Sequence, residues 1–459
     1  MDVDAALGRL LEQSTVTFQS SSYLAGQVRK RAASLDKERR AKRLPRHERK
    51  PELIPVLESE HGGGMTIAPW ELLHVLGRAT VLAGQGSSRA LSQHWACLKY
   101  ITTLQANSRG RLELSADGKD PRYHRKSVQV EDLGIAFALA TALRIAQQRH
   151  PEYRFEVVDA DVALEAGWAL RGTEVRERDS TRLRPDYFLF GLKERSAARI
   201  ITVECKGSHG RVAAQHEQLA KASAQVHAVV VGDRDKGAAS PPGLLMATAL
   251  AAKGGIEIRI LDPEGGGELA IPDHRAPRLN GPIEQFNEVA AVPVAKPDGE
   301  WDSRPGFYIP PERSEWFSRV LARTAAAGLL AFAGDRGAAR TLLTKRQQAR
   351  LGSEYDHPGT SVRCDTGITL AGLPFVGTDH VFRFGSQRME VFSGMLEQMH
   401  GLLRDSHDFQ GYETALPHVL TAWGQRRDDA AAEWGGVIFM DTDGAIMGLR
   451  PMGAGRPLR

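Results

Sequence analysis

Between Ser127 and Pro263 the apolar residues change their spacing repeatedly, and this alternation restricts the fold more than any other feature of the chain. "SVQVEDLGIAFALATALRIAQQ" (127–148) carries apolar residues at helical spacing, with Ser127 placed to cap it. Extended segments are expected in "YRFEVVDADVALEAGWAL", "RPDYFLFGL" (184–192) and "ARIITVECKGS" (198–208). A helix over 211–226, a strand "HAVVVGD" (227–233), a helix "GLLMATALAAK" (243–253) and a strand "GIEIRILDP" (255–263) complete the region. This order predicts an α/β domain with a mixed sheet flanked by helices over 127–263.

The flanks read differently. Residues 1–65 form an expected basic, helical N-terminal arm that ends at the turn "HGGG", and 66–126 read as a further helical region. Residues 264–312 are a Gly/Pro-rich linker, and 313–459 are an α+β C-terminal domain, its helices first and its strands after. In "DTDG" (441–444), Asp441 and Asp443 are expected to serve turn geometry. The start "MDVDAALGRLLEQST" lacks the basic residues of a secretory signal, and the apolar run "TAAAGLLAFAG" is too short to span a bilayer. A cytoplasmic location without a membrane partner is expected.

Three cysteines, Cys97, Cys205 and Cys364, lie far apart without C-x-x-C spacing, so the sequence supports neither a disulfide framework nor a structural zinc site. Cys364 with His380 would make a thiol and base, but no oxyanion feature accompanies them. Charge is unevenly spread: Arg29 to Lys50 holds eleven Lys/Arg against three Asp/Glu, while the whole chain is only +4. This run is either a solvated helix or a phosphate-contact surface, and Arg39, Arg40, Lys42 and Arg43 are its candidates for nucleic-acid contact.

One stretch, "ITVECKGS" (201–208), ends an apolar strand with Glu204 and Lys206 on one face and Val203 and Cys205 on the other. If the two neighbouring strands form a hairpin about the turn "KERSA" (193–197), Asp186 stands opposite Glu204. Cross-strand partners lie about 4.5–5.5 Å apart at Cβ, close enough for two carboxylates to share a divalent cation.

Pro185-Asp186 followed by Glu204-Cys205-Lys206 resembles the PD-(D/E)xK motif of the restriction-endonuclease-like nuclease superfamily, and the order of elements over 127–263 resembles that family's core. The resemblance implies a Mg²⁺- or Mn²⁺-dependent nuclease that hydrolyses phosphodiester bonds, with DNA favoured and with bacterial defence or repair as its setting. It also implies roles. Asp186 and Glu204, the carbonyl of Cys205 and Glu131 (with Asp132 as substitute) would hold the metal, and Lys206 would orient or deprotonate water or stabilise the oxyanion. Gly134 would let the first helix approach the sheet, Gln218 and Lys221 would face the site or DNA, and His209 could contact phosphate. With no P-loop, ATPase activity would belong to a partner subunit, and targeting to the flanking regions or to such a partner. The alternative is a nuclease-like protein that binds nucleic acid or a partner without cutting; the complete trio favours cutting.

Overall fold

In the computed structural model, residues 3–44, 47–50, 52–82, 94–120, 123–166, 183–193, 198–233, 237–266, 269, 279–281, 283, 292–295, 301–304, 306–351 and 364–453 are described. A mixed, eight-stranded sheet gathers strands from between residues 14 and 263. Seven of its strands are Ser14–Gln19 (β1), Gly64–Ile67 (β2), Arg154–Asp159 (β3), Tyr187–Leu192 (β4), Arg199–Ser208 (β5), Gly243–Ala249 (β6) and Glu257–Pro263 (β7). They lie in the order β2-β1-β7-β6-β5-β4-β3, with Leu53–Ile54 pairing at the end of β7. Pairs β1–β7 and β6–β5 are parallel and the others antiparallel.

Helices Ser22–Ala41 (α1), Pro69–Thr80 (α2), Tyr123–Arg149 (α3) and Val212–Gln225 (α4) cover this sheet. The pleat of β6 decides the layers. Leu244 and Met246 join Leu133 and Phe137 of α3 in one apolar cluster, whereas Leu245 and Ala247 join Val28 of α1 and Leu219 of α4 in another. Burying a side chain such as Phe137 stabilises the layer by about 1.5–3 kcal/mol.

Several expectations need correction. Residues 243–249 are a strand, not a helix: all seven are buried between two neighbours, and a strand covered on both faces has no polar alternation to mark it. The N-terminal region is not a purely helical arm. "STVTFQ" alternates buried and less buried positions and enters the sheet as β1 beside β7 and β2, so the sheet extends beyond 127–263. α3 begins at Tyr123, which places Ser127 inside the helix rather than at its cap. Asp159 is followed by a short helix, Ala160–Glu165, not by more extended chain. Val229–Asp233 leaves the main sheet and pairs with Gly237–Ala239 and with Phe307–Ile309, which belongs to the expected linker. In that linker Val292–Ala295 and Trp301–Arg304 also pair. Most of "KERSA" and residues 167–182 lie outside the described residues.

The C-terminal sub-domain has helices Ser314–Phe332 (α5), Arg336–Leu342 (α6), Lys345–Leu351 (α7), Glu397–Arg404 (α8) and Phe409–Trp434 (α9). Its antiparallel sheet orders Thr366–Leu370 (β8), Leu373–Phe384 (β9), Gln387–Leu396 (β10), Val437–Met440 (β11) and Ala445–Pro451 (β12) as β8-β9-β10-β12-β11. The β11–β12 turn shows the expected use of Asp441, whose Oδ1 accepts the N–H of Ala445 at 3.0 Å. It also fastens the sub-domain to α2: Asp441 Oδ2 lies 2.7 Å from His74 Nε2, and Asp443 Oδ2 lies 2.5 Å from Arg78 Nη2. Among the described residues no helix is long and apolar enough to cross a membrane.

Candidate active site

The β4–β5 hairpin pairs Tyr187 with Val203 and Phe188 with Thr202, the register expected for a turn centred near residue 195. Asp186 therefore sits just before β4, opposite Glu204. Its N–H donates to Val203 O and to Glu204 Oε2, both at 3.1 Å, while its Oδ2 accepts the Cys205 N–H at 2.8 Å. Lys206 Nζ stands 3.6 Å from Asp186 Oδ2 and forms an ion pair with Glu204 Oε1. Leu245 and Ala247 of β6 flank Glu204 and Lys206 in the parallel ladder, so this pair shares the α4 face, while Val203 and Cys205 pack with the α3 cluster.

Depth separates the two acids. The Glu204 side chain is 0% exposed, whereas those of Asp186 and Lys206 are 33% and 25% exposed. Burial and the neighbouring Asp186 push the Glu204 carboxyl well above the ordinary carboxylate range, against the pull of Lys206. Burial works against the Lys206 ammonium, but Glu204 and Asp186 outweigh it and hold its pKa above the usual lysine value. Both acids thus face the one ammonium of Lys206.

Helix α3 reaches this hairpin through a glycine contact. A Cβ on Gly134 would lie 2.8 Å from Gly207 N, and one on Gly207 would lie 1.9 Å from Val130 O, so the close approach expected of Gly134 is present and Gly207 shares it. The crossing brings Glu131, an exposed residue in the third turn of α3, to the mouth of a cleft of about 420 Å³. Glu131, Asp186, Cys205, Lys206 and Gln218 all line it. Gln218 reaches across from α4, its Nε2 donating to Gly207 O at 2.8 Å, and its Oε1 is buried without a hydrogen-bond partner.

Other candidates lie elsewhere. Lys221, on the same face of α4 as Gln218 but 59% exposed, pairs with Glu217 one turn back at 2.7 Å and does not line the cleft. Asp132 is held by Lys99 at 2.6 Å and Tyr100 Oη at 2.8 Å, and His209 by Gln129 at 2.9 Å; none of the three lines the cleft. Cys364 does not meet His380, whose ring stacks against Trp95; its neighbour is His400, 3.4 Å away. Within the basic run, Arg31 pairs with Glu217 at 2.6 Å, Arg49 pairs with Asp36 at 3.1 Å, and Lys50 is buried against the carbonyls of Pro241 and Glu264. Arg39 is half-buried near the end of α1, and Arg40, Lys42 and Arg43 are exposed around it.

Asp159, Asp161 and Arg184 complete the rim and were not anticipated. Asp159 caps the helix Ala160–Glu165 by accepting the Val162 N–H at 3.0 Å, and Asp161 meets Arg184 Nε at 2.5 Å. The signal was present: "DAD" after an apolar run is a helix-start pattern. Fold and site together define an α/β protein with a curled mixed sheet, flanking helices, further sub-domains at both ends, and a cleft where carboxylates meet a lysine. Compared with known proteins, the chain matches no family model, no curated protein and no solved structure.

Proposed function

We propose that the cleft is the active site of a metal-dependent nuclease of the PD-(D/E)xK type, hydrolysing phosphodiester bonds in DNA. The observation that carries this reading is the hairpin register, which sets Asp186 against the buried Glu204 and beside Lys206, with Asp186 and Lys206 lining a cleft also lined by Glu131 of α3. The helix–hairpin–helix arrangement of α3, β4–β5 and α4 supports a restriction-endonuclease-like core. Defence against foreign DNA, with ATPase or targeting activity on a partner subunit, is the setting that fits such an enzyme.

The donor set fits a hard divalent cation. Carboxylates of Asp186, Glu204 and Glu131 and the Cys205 carbonyl are all oxygen ligands, which suit Mg²⁺ or Mn²⁺. Such an ion, when bound, acidifies a water and screens the charge that builds on phosphorus. Asp186 reaches solvent and would meet the ion first; Glu204 behind it fixes the Asp186 main chain. Lys206, partly exposed beside both acids, would orient the attacking water or stabilise the anionic phosphorane.

Cleavage of labelled linear and circular DNA by the purified chain is expected with Mg²⁺ or Mn²⁺ and not with Ca²⁺, whose larger, looser coordination sphere does not enforce octahedral geometry. Equal activity in EDTA would remove the metal from the mechanism. DNA binding should depend on the exposed end of α1. Combined Arg39→Ala, Arg40→Ala, Lys42→Ala and Arg43→Ala substitutions should weaken binding and lower the log–log salt slope by up to about 3.6, at about 0.9 per phosphate contact. An unchanged slope would show that this run is only a solvated helix end. Deleting the segment is a poorer test, since β1 would leave the sheet with it.

A further inference from the structure

Three side chains far from the cleft converge on one point in the C-terminal sub-domain. Asp335 precedes α6, Cys364 precedes β8 and His400 lies on α8, yet one ligand atom from each falls within 4.8 Å of the other two. His400 Nε2 is 3.4 Å from Cys364 Sγ and 3.2 Å from Asp335 Oδ2. Asp335 and His400 are buried, and Cys364 is partly so.

The geometry separates two uses of such a trio. A thiol–imidazole–carboxylate relay needs the thiol on one ring nitrogen and the carboxylate on the other. Here both neighbours crowd the same nitrogen, Nε2, which has room for only one proton. Atoms that converge in this way suit a shared cation. Tetrahedral Zn²⁺, with Zn–S of about 2.3 Å and Zn–N and Zn–O of about 2.0–2.2 Å, sets S···N at about 3.6 Å and N···O at about 3.4 Å. The observed edges are slightly shorter than these.

We propose that Asp335, Cys364 and His400 form a Zn²⁺ site with three protein ligands and a fourth position left to solvent. Sulfur and imidazole ligands select zinc over magnesium or calcium. One thiolate, one carboxylate and one neutral imidazole balance the ion's charge, which permits burial. The Cys364 thiol donates to Ala333 O at 3.0 Å. On binding, the S–H bond breaks, a sulfur–zinc bond forms and the proton leaves to solvent, with no change of oxidation state. Asp335 is already oriented, because its Oδ1 caps α6 by accepting the Ala338 N–H at 3.0 Å and leaves Oδ2 for the ion. Solvent has access. Asp335 lines a cleft of about 480 Å³ with Thr341, Arg404, Asp405 and His407, and Arg404, 3.4 Å from Oδ2, is half exposed and can move aside. The ion would tie Cys364, just before β8, to α6 and α8.

The test uses the full chain, stripped by chelator and titrated with Co²⁺ in excess Mg²⁺, so that an oxygen-only site elsewhere is filled. One equivalent of Co²⁺ should give thiolate-to-cobalt charge-transfer absorption with the intense visible bands of tetrahedral cobalt, and Zn²⁺ should bleach both. Cys364→Ser should remove the charge-transfer band, and His400→Gln should weaken affinity at least about tenfold. Cys97→Ser should change neither. Absence of charge transfer in the unmodified chain, weak octahedral bands alone, or an unchanged spectrum in Cys364→Ser would each overturn the site and leave a metal-free hydrogen-bond cluster.

Discussion

Lys206→Ala is expected to lower Mg²⁺-supported DNA cleavage by about 100- to 10,000-fold, the range typical of a positioned proton-transfer group. The ammonium is the one cation beside Asp186 and Glu204 among the contacts described for these acids, and it reaches solvent where a scissile phosphate would lie. The substitution also has a structural cost. Glu204, 0% exposed, would lose its ion-pair partner, and stranding one member of a buried pair typically costs about 3 kcal/mol or more. Activity and stability must therefore be read apart. Adding Glu204→Gln to Lys206→Ala neutralises the stranded acid, so thermal melts should recover while cleavage stays lost. Asp186→Asn, which removes the charge of the accessible carboxylate at the cleft, should be inactive on the same substrates with little change in melting. Wild-type cleavage rates in folded Lys206→Ala and Asp186→Asn would reduce "ECK" to a strand-end salt bridge, and the nuclease reading would fall.

The parts of this arrangement that were legible in the sequence share a physical cause. A short turn fixes a hairpin's register, and the pleat fixes which side chains share a face, so Asp186, Glu204 and Lys206 could be placed together from position alone. Gly134 was legible for a similar reason: a glycine inside a helix that must lie on a strand marks close approach. Burial on both faces erased the signal of β6, whose seven residues are all buried and, Thr248 apart, carry no polar side chain to mark an alternation. β1 was hidden because six residues of alternation sit between two helical stretches, and only its pairing with β2 and with β7, the latter more than two hundred residues away, makes it a strand. The Asp335–Cys364–His400 convergence has no sequence signature at all. Its members come from three elements whose packing decides their proximity, and the spacing rules for zinc motifs describe only ligands that are close in the chain.

Gly134→Ala separates two opposed expectations and tests the contact that brings Glu131 to the cleft. Helix propensity alone predicts stabilisation by about 1 kcal/mol, since Gly134 lies well inside α3 and alanine is the better helix former. Packing predicts the reverse. The added methyl would lie 2.8 Å from Gly207 N and 2.9 Å from its Cα, backbone atoms in the middle of a sheet that cannot turn aside as a side chain can. Gly207→Ala should be worse still, because its methyl would stand 1.9 Å from Val130 O and force α3 bodily away from β5. Overpacking against backbone should cost about 3 kcal/mol or more at position 207 and about 1 kcal/mol net at 134, where the propensity gain offsets part of the clash. Thermal melts read the order directly: wild type, then Gly134→Ala, then Gly207→Ala, with far-UV circular dichroism confirming that helix content is retained. Cleavage should fall along the same series, since each step lifts Glu131 from Asp186 without altering any acid or the lysine. A Gly134→Ala variant that melts above wild type would mean that α3 does not press on β5, and Glu131 would lose its place in the site.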